Sequence, residues 1–123
     1  MKTIFITGIA GMIGFHTAKK YNDLGWEVWG IDNFNDYYDI KLKRERAEIL
    51  NNLDIQVINM DLRDSYADLQ GCFETTDIIL HLAAYANPRH AMEEPQHYID
   101  TNITGTQELI KLAEHEGLDV VYA

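Results

Sequence analysis

Three glycines near the amino end, Gly8, Gly11 and Gly14, limit the possible folds more than any other part of this sequence. They directly follow the segment Thr3–Thr7, whose β-branched and aromatic residues predict a short buried strand. After them, residues 11–24 carry apolar side chains at helical spacing, and Gly25 is a stop signal. The amino-terminal unit is therefore predicted to be a strand, a glycine turn and a helix.

Apolar runs alternate with helical patterns along the rest of the chain. Further strands are predicted at residues 27–31, 55–59, 77–82 and 118–123, and helices at residues 40–50, 65–73 and 96–116, the last with Pro95 in its first turn. Residues 83–94 are predicted to be a loop. This alternation is typical of an α/β protein whose Rossmann-type parallel sheet has helices on both faces. Right-handed crossovers favour the strand order 3-2-1-4-5, in a single domain, residues 1–123, truncated after the fifth strand.

Composition and charge exclude several classes of partner. The chain has ten basic and twenty acidic residues, a net charge of −10, which disfavours binding to nucleic acid or to an anionic membrane. A basic group, Lys41, Lys43, Arg44 and Arg46, is interleaved with acids and indicates either a solvated helix face or a helper near a phosphate. The single cysteine excludes an internal disulfide, and no signal peptide or membrane span is predicted, so we expect a cytoplasmic protein.

The glycine spacing has a direct chemical meaning when it lies between a strand and a helix. Gly8 permits a tight turn, Gly11 allows the backbone to approach a pyrophosphate, and Gly14 allows close helix–strand packing. Free amides at the start of the helix then bind the anion. The alternative is a tight turn that binds no ligand.

Asp32 ends the second predicted strand, eighteen residues after Gly14. This is close to the spacing of about 20 residues at which an acid meets the adenosine ribose of a dinucleotide. A carboxylate there accepts from the ribose hydroxyls and repels a 2′-phosphate, which favours NAD over NADP. The alternative is that Asp32 only caps the following loop.

Weaker signals lie at the ends of the third and fourth strands. Asp61 is placed either to accept from an adenine amino group or to serve as a surface turn acid. Small residues after His81 suit either a backbone lying against a cofactor or simple packing. The other histidines have no partners at metal-ligand spacing, so no metal is expected. Hydride chemistry through a bound cofactor is the only reaction that the residues suggest.

Several runs together resemble the extended short-chain dehydrogenase/reductase family, in particular the NAD-dependent nucleotide-sugar epimerases and dehydratases of the UDP-glucuronate 4-epimerase type. The resemblance covers the whole chain and rests on the following residues: Ile6-Thr7-Gly8 with its glycine spacing, Gly30-Ile31-Asp32-Asn33, Asn35-Asp36-Tyr37-Tyr38-Asp39, Leu42-Lys43, Arg46, Asp61-Leu62, His81-Leu82-Ala83-Ala84, Asn102 and Gly105.

The resemblance implies bound NAD that oxidises the C4 hydroxyl of a nucleotide sugar and reduces the resulting ketone on its other face. It implies cofactor contacts at Gly8, Gly11, Met12, Ile13, Gly14, Asp32, Asn33, Lys43, Asp61, Leu62, Leu82, Ala83 and Ala84. In that assignment the glycine loop holds the pyrophosphate, Asp32 and Asn33 the ribose, and Asp61 and Leu62 the adenine. Lys43 lies on the adenosine side, Ala83 and Ala84 lie on the nicotinamide side, and Asn102 stands behind the cofactor.

Two departures from the family pattern limit what can be carried over. The family's Ala-Gly-Val-Arg-Tyr-Ser run is here Ala86-Asn87-Pro88-Arg89-His90-Ala91, so Arg89 is the one implied substrate contact. The resemblance also places the catalytic Ser/Thr and Tyr-x-x-x-Lys beyond Ala123, and Tyr122 has no lysine after it to replace them. We therefore expect this chain to bind NAD without catalysis.

Three interpretations follow. The first is the NAD-binding portion of a nucleotide-sugar 4-epimerase. The second is a non-catalytic half-Rossmann protein that self-associates through helix 96–116, which carries one apolar stripe at Ile99, Ile103, Ile110 and Ala113 and another at Leu109 and Leu112. The third is a dehydratase or reductase of the same superfamily, because the amino-terminal half sets the cofactor and not the reaction.

Overall fold

A computed structural model describes residues 1–35, 39–85 and 88–123. Five parallel strands form one sheet: β1 Thr3–Thr7, β2 Glu27–Asp32, β3 Gln56–Asn59, β4 Ile78–His81 and β5 Asp119–Tyr122. Their order is β3-β2-β1-β4-β5, which confirms the predicted topology. Since the order reverses at β1, the carboxyl ends of β1 and β4 open a crevice there.

The sheet lies between two hydrophobic cores, so its first strand is buried on both faces. In β1 the alternate residues Ile4 and Ile6 pack into one core with Phe15 and Ala18 of the first helix. The opposite face carries Phe5 in a second core, where its ring lies 4.4 Å from Trp29 and 4.8 Å from Phe73, centroid to centroid. An all-apolar strand needs this cover on both faces.

Helices fill the two outer layers. They are α1 Met12–Asp23, α2 Ile40–Asn52, α3 Gln70–Glu74, α4 Pro88–Glu93, α5 Pro95–Tyr98 and α6 Thr106–Glu116. Side chains of α1 and α2 enter the first core, and those of α3 and α6 enter the second. None of the helices in the described ranges has both the length and the apolar character needed to cross a lipid bilayer.

Three of the predicted elements were wrong in detail. The helix expected at residues 65–73 is a 3-10 turn, Ala67–Leu69, followed by α3. The loop expected at residues 83–94 contains α4, whose six residues are too few to show a helical period. The long helix expected at residues 96–116 is interrupted, because α5 and α6 are joined by a π-helical segment, Ile99–Gly105.

Candidate functional site

A cleft of about 340 Å³ opens at the carboxyl ends of the strands, at the point where the strand order reverses. Twelve of the residues expected to contact a cofactor line it: Gly8, Gly11, Met12, Ile13, Gly14, Asp32, Asn33, Lys43, Leu62, Leu82, Ala83 and Ala84. The cleft is also lined by Ile31, Asn35, Met60, Tyr85, Thr101 and Ala123. Residues far apart in the chain thus converge on one concave surface, the usual form of a ligand site.

The glycine loop forms the floor of the cleft. Gly8 has a φ of +72° and donates to the Ile31 carbonyl at 2.9 Å, which fixes the turn at the end of β1. A Cβ on Gly8 would lie 3.0 Å from the Ala83 amide nitrogen, so the loop touches the segment after β4. Only glycine combines this positive φ with this close approach.

The start of α1 presents to the cleft backbone amides that have no hydrogen-bond partner within the helix. The first intrahelical acceptor is the Gly11 carbonyl, which binds the Phe15 amide at 2.9 Å. The amides of Met12, Ile13 and Gly14 therefore precede the helical hydrogen-bond ladder. No acid lies in this first turn, and the dipole of the helix favours an anion there.

Asp32 lies at the end of β2 with its side chain buried in the cleft wall. Its Oδ2 accepts from the Ala10 amide at 3.1 Å, and its Oδ1 accepts from the Phe34 amide at 2.9 Å. Phe34 has a φ of +52°, a conformation that costs free energy in a residue other than glycine. The hydrogen bond from its amide to Asp32 offsets this cost. Asp32 thus caps the following loop, as the alternative interpretation held, and it also lines the cleft.

The basic group on α2 divides between the cleft and the solvent. Lys43 is 6% exposed, its Nζ lies 3.6 Å from Asp32 Oδ1, and it donates to Asn35 Oδ1 at 3.3 Å. Arg46 donates to the Ala10 carbonyl at 3.3 Å, beside the glycine loop. Lys41 and Arg44 are exposed. The solvated-face interpretation therefore holds for Lys41 and Arg44, whereas a role near a phosphate stays a prediction for Lys43 and Arg46.

Asp61 does not line the cleft but supports a residue that does. Its Oδ2 accepts from Asn33 Nδ2 at 3.0 Å, and Arg63 binds both carboxylate oxygens, at 2.9 and 3.0 Å. The Arg63 hydrogen bond is the main cause that lowers the pKa of Asp61 from 3.8 to about 2, against the opposing effect of burial. The carboxylate is therefore charged at neutral pH and holds the Asn33 amide in place.

The lowered pKa of Asp61 predicts an acid-sensitive contribution to stability. Because the folded-state pKa lies below the unfolded value, the stabilisation is complete above about pH 4 and is lost as the pH falls through about 2. In Arg63→Gln the part of the unfolding free energy that depends on pH between 2 and 5 should shrink. Urea unfolding at several pH values checks this, and an unchanged pH dependence in the variant would contradict it.

Two polar residues of the π-helical segment lie at or beside the cleft: Asn102, which the family resemblance places behind the cofactor, and Thr101, which no motif indicated. Asn102 binds the backbone of Tyr85 twice, accepting from its amide at 2.9 Å and donating to its carbonyl at 2.8 Å. In the π-helical segment, the buried Thr101 hydroxyl lines the cleft and has no hydrogen-bond partner among the described residues. A buried hydroxyl in this state is an acceptor or donor available to a ligand.

Arg89, the implied substrate contact, lies in α4, is exposed and is not among the residues that line the cleft. The Asn35–Asp39 run that supports the resemblance includes residues 36–38, which lie outside the described ranges, as do Ala86 and Asn87.

Comparison with known proteins places this architecture in a family. Residues 4–123 match the model of the NAD dependent epimerase/dehydratase family. The chain belongs to this family. The matched residues include the glycine loop, Asp32 and the segment after β4, and the members of this family depend on NAD.

The similar proteins include several epimerases of one type. The chain is 41% identical over 114 residues to UDP-glucuronate 4-epimerase 6 of Arabidopsis thaliana, covering 91% of this chain and 25% of that protein. It is 37% identical over 123 residues to protein CapI of Staphylococcus aureus, covering 98% of this chain and 36% of that protein. This chain thus spans between a quarter and slightly more than a third of the length of these relatives.

A solved structure agrees with the fold. UDP-glucuronic acid 4-epimerase from Bacillus cereus, in complex with UDP-glucuronic acid and NAD, superposes with a TM-score of 0.86 at 31% identity. The match covers 98% of this chain and 39% of that chain.

Proposed function

We propose that this chain is the NAD-binding portion of a nucleotide-sugar 4-epimerase of the UDP-glucuronate 4-epimerase type. The observation that carries the proposal is the cleft at the strand-order reversal, which joins a glycine loop, a helix start free of acids and a buried carboxylate. The Bacillus cereus epimerase, whose structure contains NAD and UDP-glucuronic acid, supports it.

The residues present suit a dinucleotide. The amides of Met12, Ile13 and Gly14 receive the pyrophosphate. A side chain at Gly8 would crowd the Ala83 backbone and displace the loop that presents these amides. Asp32 accepts from the adenosine ribose hydroxyls, with Asn33 held toward the cleft by Asp61. Exposed apolar side chains at the cleft, Met12 at 63% and Ile13 at 61%, become covered by a ligand in this arrangement.

Bound NAD supplies a reversible hydride acceptor, which 4-epimerisation requires at the sugar C4. The residues of this chain bind and orient the cofactor, and we assign none of them a proton transfer. Leu82, Ala83 and Ala84 form the wall on the nicotinamide side, and Arg89 stays the proposed contact to the nucleotide sugar. A dehydratase or reductase would use the same cofactor site.

Calorimetric titration of the chain with NAD, and with NADP as the control, tests the proposal. We expect saturable binding of NAD and much weaker binding of NADP, because Asp32 repels a 2′-phosphate. A folded chain that binds neither dinucleotide would contradict the assignment of the cleft, and a preference for NADP would contradict the role of Asp32.

Replacement of Gly11 separates binding from folding. In Gly11→Ala the new Cβ meets only the Gly8 carbonyl oxygen, at 3.2 Å, so the unfolding free energy should change by less than about 1 kcal/mol. The methyl group would nevertheless stand where a pyrophosphate approaches the backbone, and NAD affinity should fall at least about tenfold. Calorimetry with denaturant unfolding of the same sample measures both, and unchanged affinity would count against a pyrophosphate at this loop.

Self-association is a second candidate function, because one stripe of isoleucines is exposed. Ile99, Ile103 and Ile110 are 45%, 64% and 49% exposed. Ala113, expected in the same stripe, is instead buried in the second core together with Leu109, which lies four residues earlier on the same face of α6. Sedimentation should show concentration-dependent dimers that Ile103→Lys abolishes, and a monomer at high concentration would exclude this function.

A further inference from the structure

The buried imidazole of His81 joins three elements around the cleft and is not itself a cleft-lining residue. His81 is 6% exposed at the end of β4. Its Nδ1 lies 2.7 Å from the Thr7 hydroxyl of β1, and its Nε2 lies 2.8 Å from the Thr106 hydroxyl at the start of α6. A histidine with both ring nitrogens bound to hydroxyls is held in one orientation.

The Thr7 hydroxyl has a second task, because it also binds the backbone of the cleft wall. It accepts from the amides of Leu82 and Ala83, each at 3.0 Å. A hydroxyl oxygen has two lone pairs and one proton. Both lone pairs of Thr7 are therefore used, and its proton is left for His81 Nδ1.

This count assigns the tautomer. His81 accepts at Nδ1 from Thr7, so its own proton lies on Nε2 and is donated to the Thr106 oxygen. A proton on Nδ1 would point at an oxygen with no free lone pair. The chain of hydrogen bonds runs in one direction only, from Thr7 through His81 to Thr106.

The residues linked in this way flank the cleft. Leu82 and Ala83 line it directly, and Thr106 follows the π-helical segment that contributes Thr101. The Asn102–Tyr85 pair links the π-helical segment to the segment after β4. Two sets of hydrogen bonds, Asn102–Tyr85 and Thr7–His81–Thr106, thus set the spacing between the wall after β4 and the helix behind it. The second set is called the clamp below.

We propose that His81, as a neutral Nε2–H imidazole, is a positioning residue that holds the nicotinamide-side wall of the cleft in register with α6. The proposal rests on the proposed NAD-binding function for its effect on affinity, whereas the tautomer and the clamp can be measured without any cofactor.

Protonation of His81 would break the clamp, because Nδ1 would become a second donor facing Thr7. Burial lowers the pKa of His81 below 6.5, so the imidazole is neutral at pH 7. The clamp is lost only as the pH falls through this lowered pKa. On the neighbouring elements, β1 has no titratable group, while β5 carries Asp119 and Tyr122. The titratable groups of α6 are Glu108, Lys111, Glu114, His115 and Glu116, and His115 is the exposed imidazole to be controlled for.

Nitrogen NMR of the full chain tests the tautomer directly. Long-range proton–nitrogen correlations at pH 7, with the His81 signals resolved from those of the exposed His115, should show His81 neutral with its proton on Nε2, and its pKa should lie below 6.5. A proton on Nδ1 at pH 7, or a His81 pKa at or above 6.5, would overturn the proposal.

Thr106 offers the matched variants. Thr106→Val should move the amide resonances of Leu82 and Ala83 and lower NAD affinity by about threefold to tenfold, while Thr106→Ser keeps the hydroxyl and restores both. Thr76→Val is the control: this hydroxyl is 5% exposed and binds Trp29 and Cys72 just before β4, away from the cleft. It should reduce stability and leave affinity unchanged.

The outcomes separate the two proposals. If the unaltered chain binds no NAD, the proposed function fails, and the amide shifts of Leu82 and Ala83 in Thr106→Val still decide the role of His81. If Thr106→Val and Thr76→Val have equal effects, or if Thr106→Ser does not rescue, the positioning role is wrong.

Discussion

Gly14→Ala should destabilise the chain by about 3 kcal/mol and lower its melting temperature by roughly 10 °C. A Cβ on Gly14 would overlap the carbonyl oxygen of Gly8 and lie 2.9 Å from the Cα of Ile9. Both obstacles are backbone atoms, which cannot move aside as a flexible side chain does. The glycine loop or the first turn of α1 must therefore shift, and NAD affinity should fall together with stability.

Thermal and urea unfolding of Gly14→Ala measure this effect, with Gly71→Ala as the control. Gly71 lies in α3, and a Cβ there would meet nothing within 4 Å, so this change should be neutral or stabilise by about 0.5 to 1 kcal/mol. Equal stability of the two variants would show that the loop and α1 are packed less closely than described.

Asp32→Asn should lower NAD affinity by about tenfold to a hundredfold and stability by about 3 kcal/mol. The carboxylate accepts from two backbone amides and neutralises Lys43, and the two side chains are only 4% and 7% exposed. An asparagine would turn an NH₂ group toward one of these amides and remove the negative charge that faces the buried Lys43.

A double variant separates the two losses. Adding Lys43→Met to Asp32→Asn removes the buried positive charge and should recover part of the stability, whereas NAD affinity should stay low because the ribose acceptor is still absent. Calorimetry and urea unfolding of the unaltered chain, of Asp32→Asn, of Lys43→Met and of the double variant complete a double-mutant cycle. Unchanged NAD affinity in Asp32→Asn would exclude Asp32 as a ribose ligand.

The strands and the glycine loop were predictable because their signals are local. An apolar run that ends at a glycine, followed by helical spacing, identifies β1 and α1 from neighbouring residues alone. The order of the strands followed from the handedness of parallel crossovers and is confirmed by the sheet. Most of the residues that the family resemblance implies as cofactor contacts line the cleft, because they lie at strand ends or in the glycine loop.

The π-helical segment was not predictable for the opposite reason. Its residues contact distant parts of the chain: Asn102 binds the backbone of Tyr85 seventeen residues earlier, and a Cβ on Gly105 would lie 3.0 Å from the Cβ of Leu62. Contacts of this kind do not alter the apolar spacing of the helix itself. The same segment brings Thr101 to the cleft, so this residue had no signal in the sequence.

The sequence by itself determined the parallel α/β topology, the glycine turn and the acid at the end of β2, since each depends on backbone freedom or side-chain type within a few residues. The tertiary structure alone decided that Asp32 also caps its own loop, that Asp61 acts through Asn33, and that His81 connects Thr7 to Thr106. The physical reason is that a carboxylate, hydroxyl or imidazole has several hydrogen-bonding positions, and only the packed fold determines which partners occupy them.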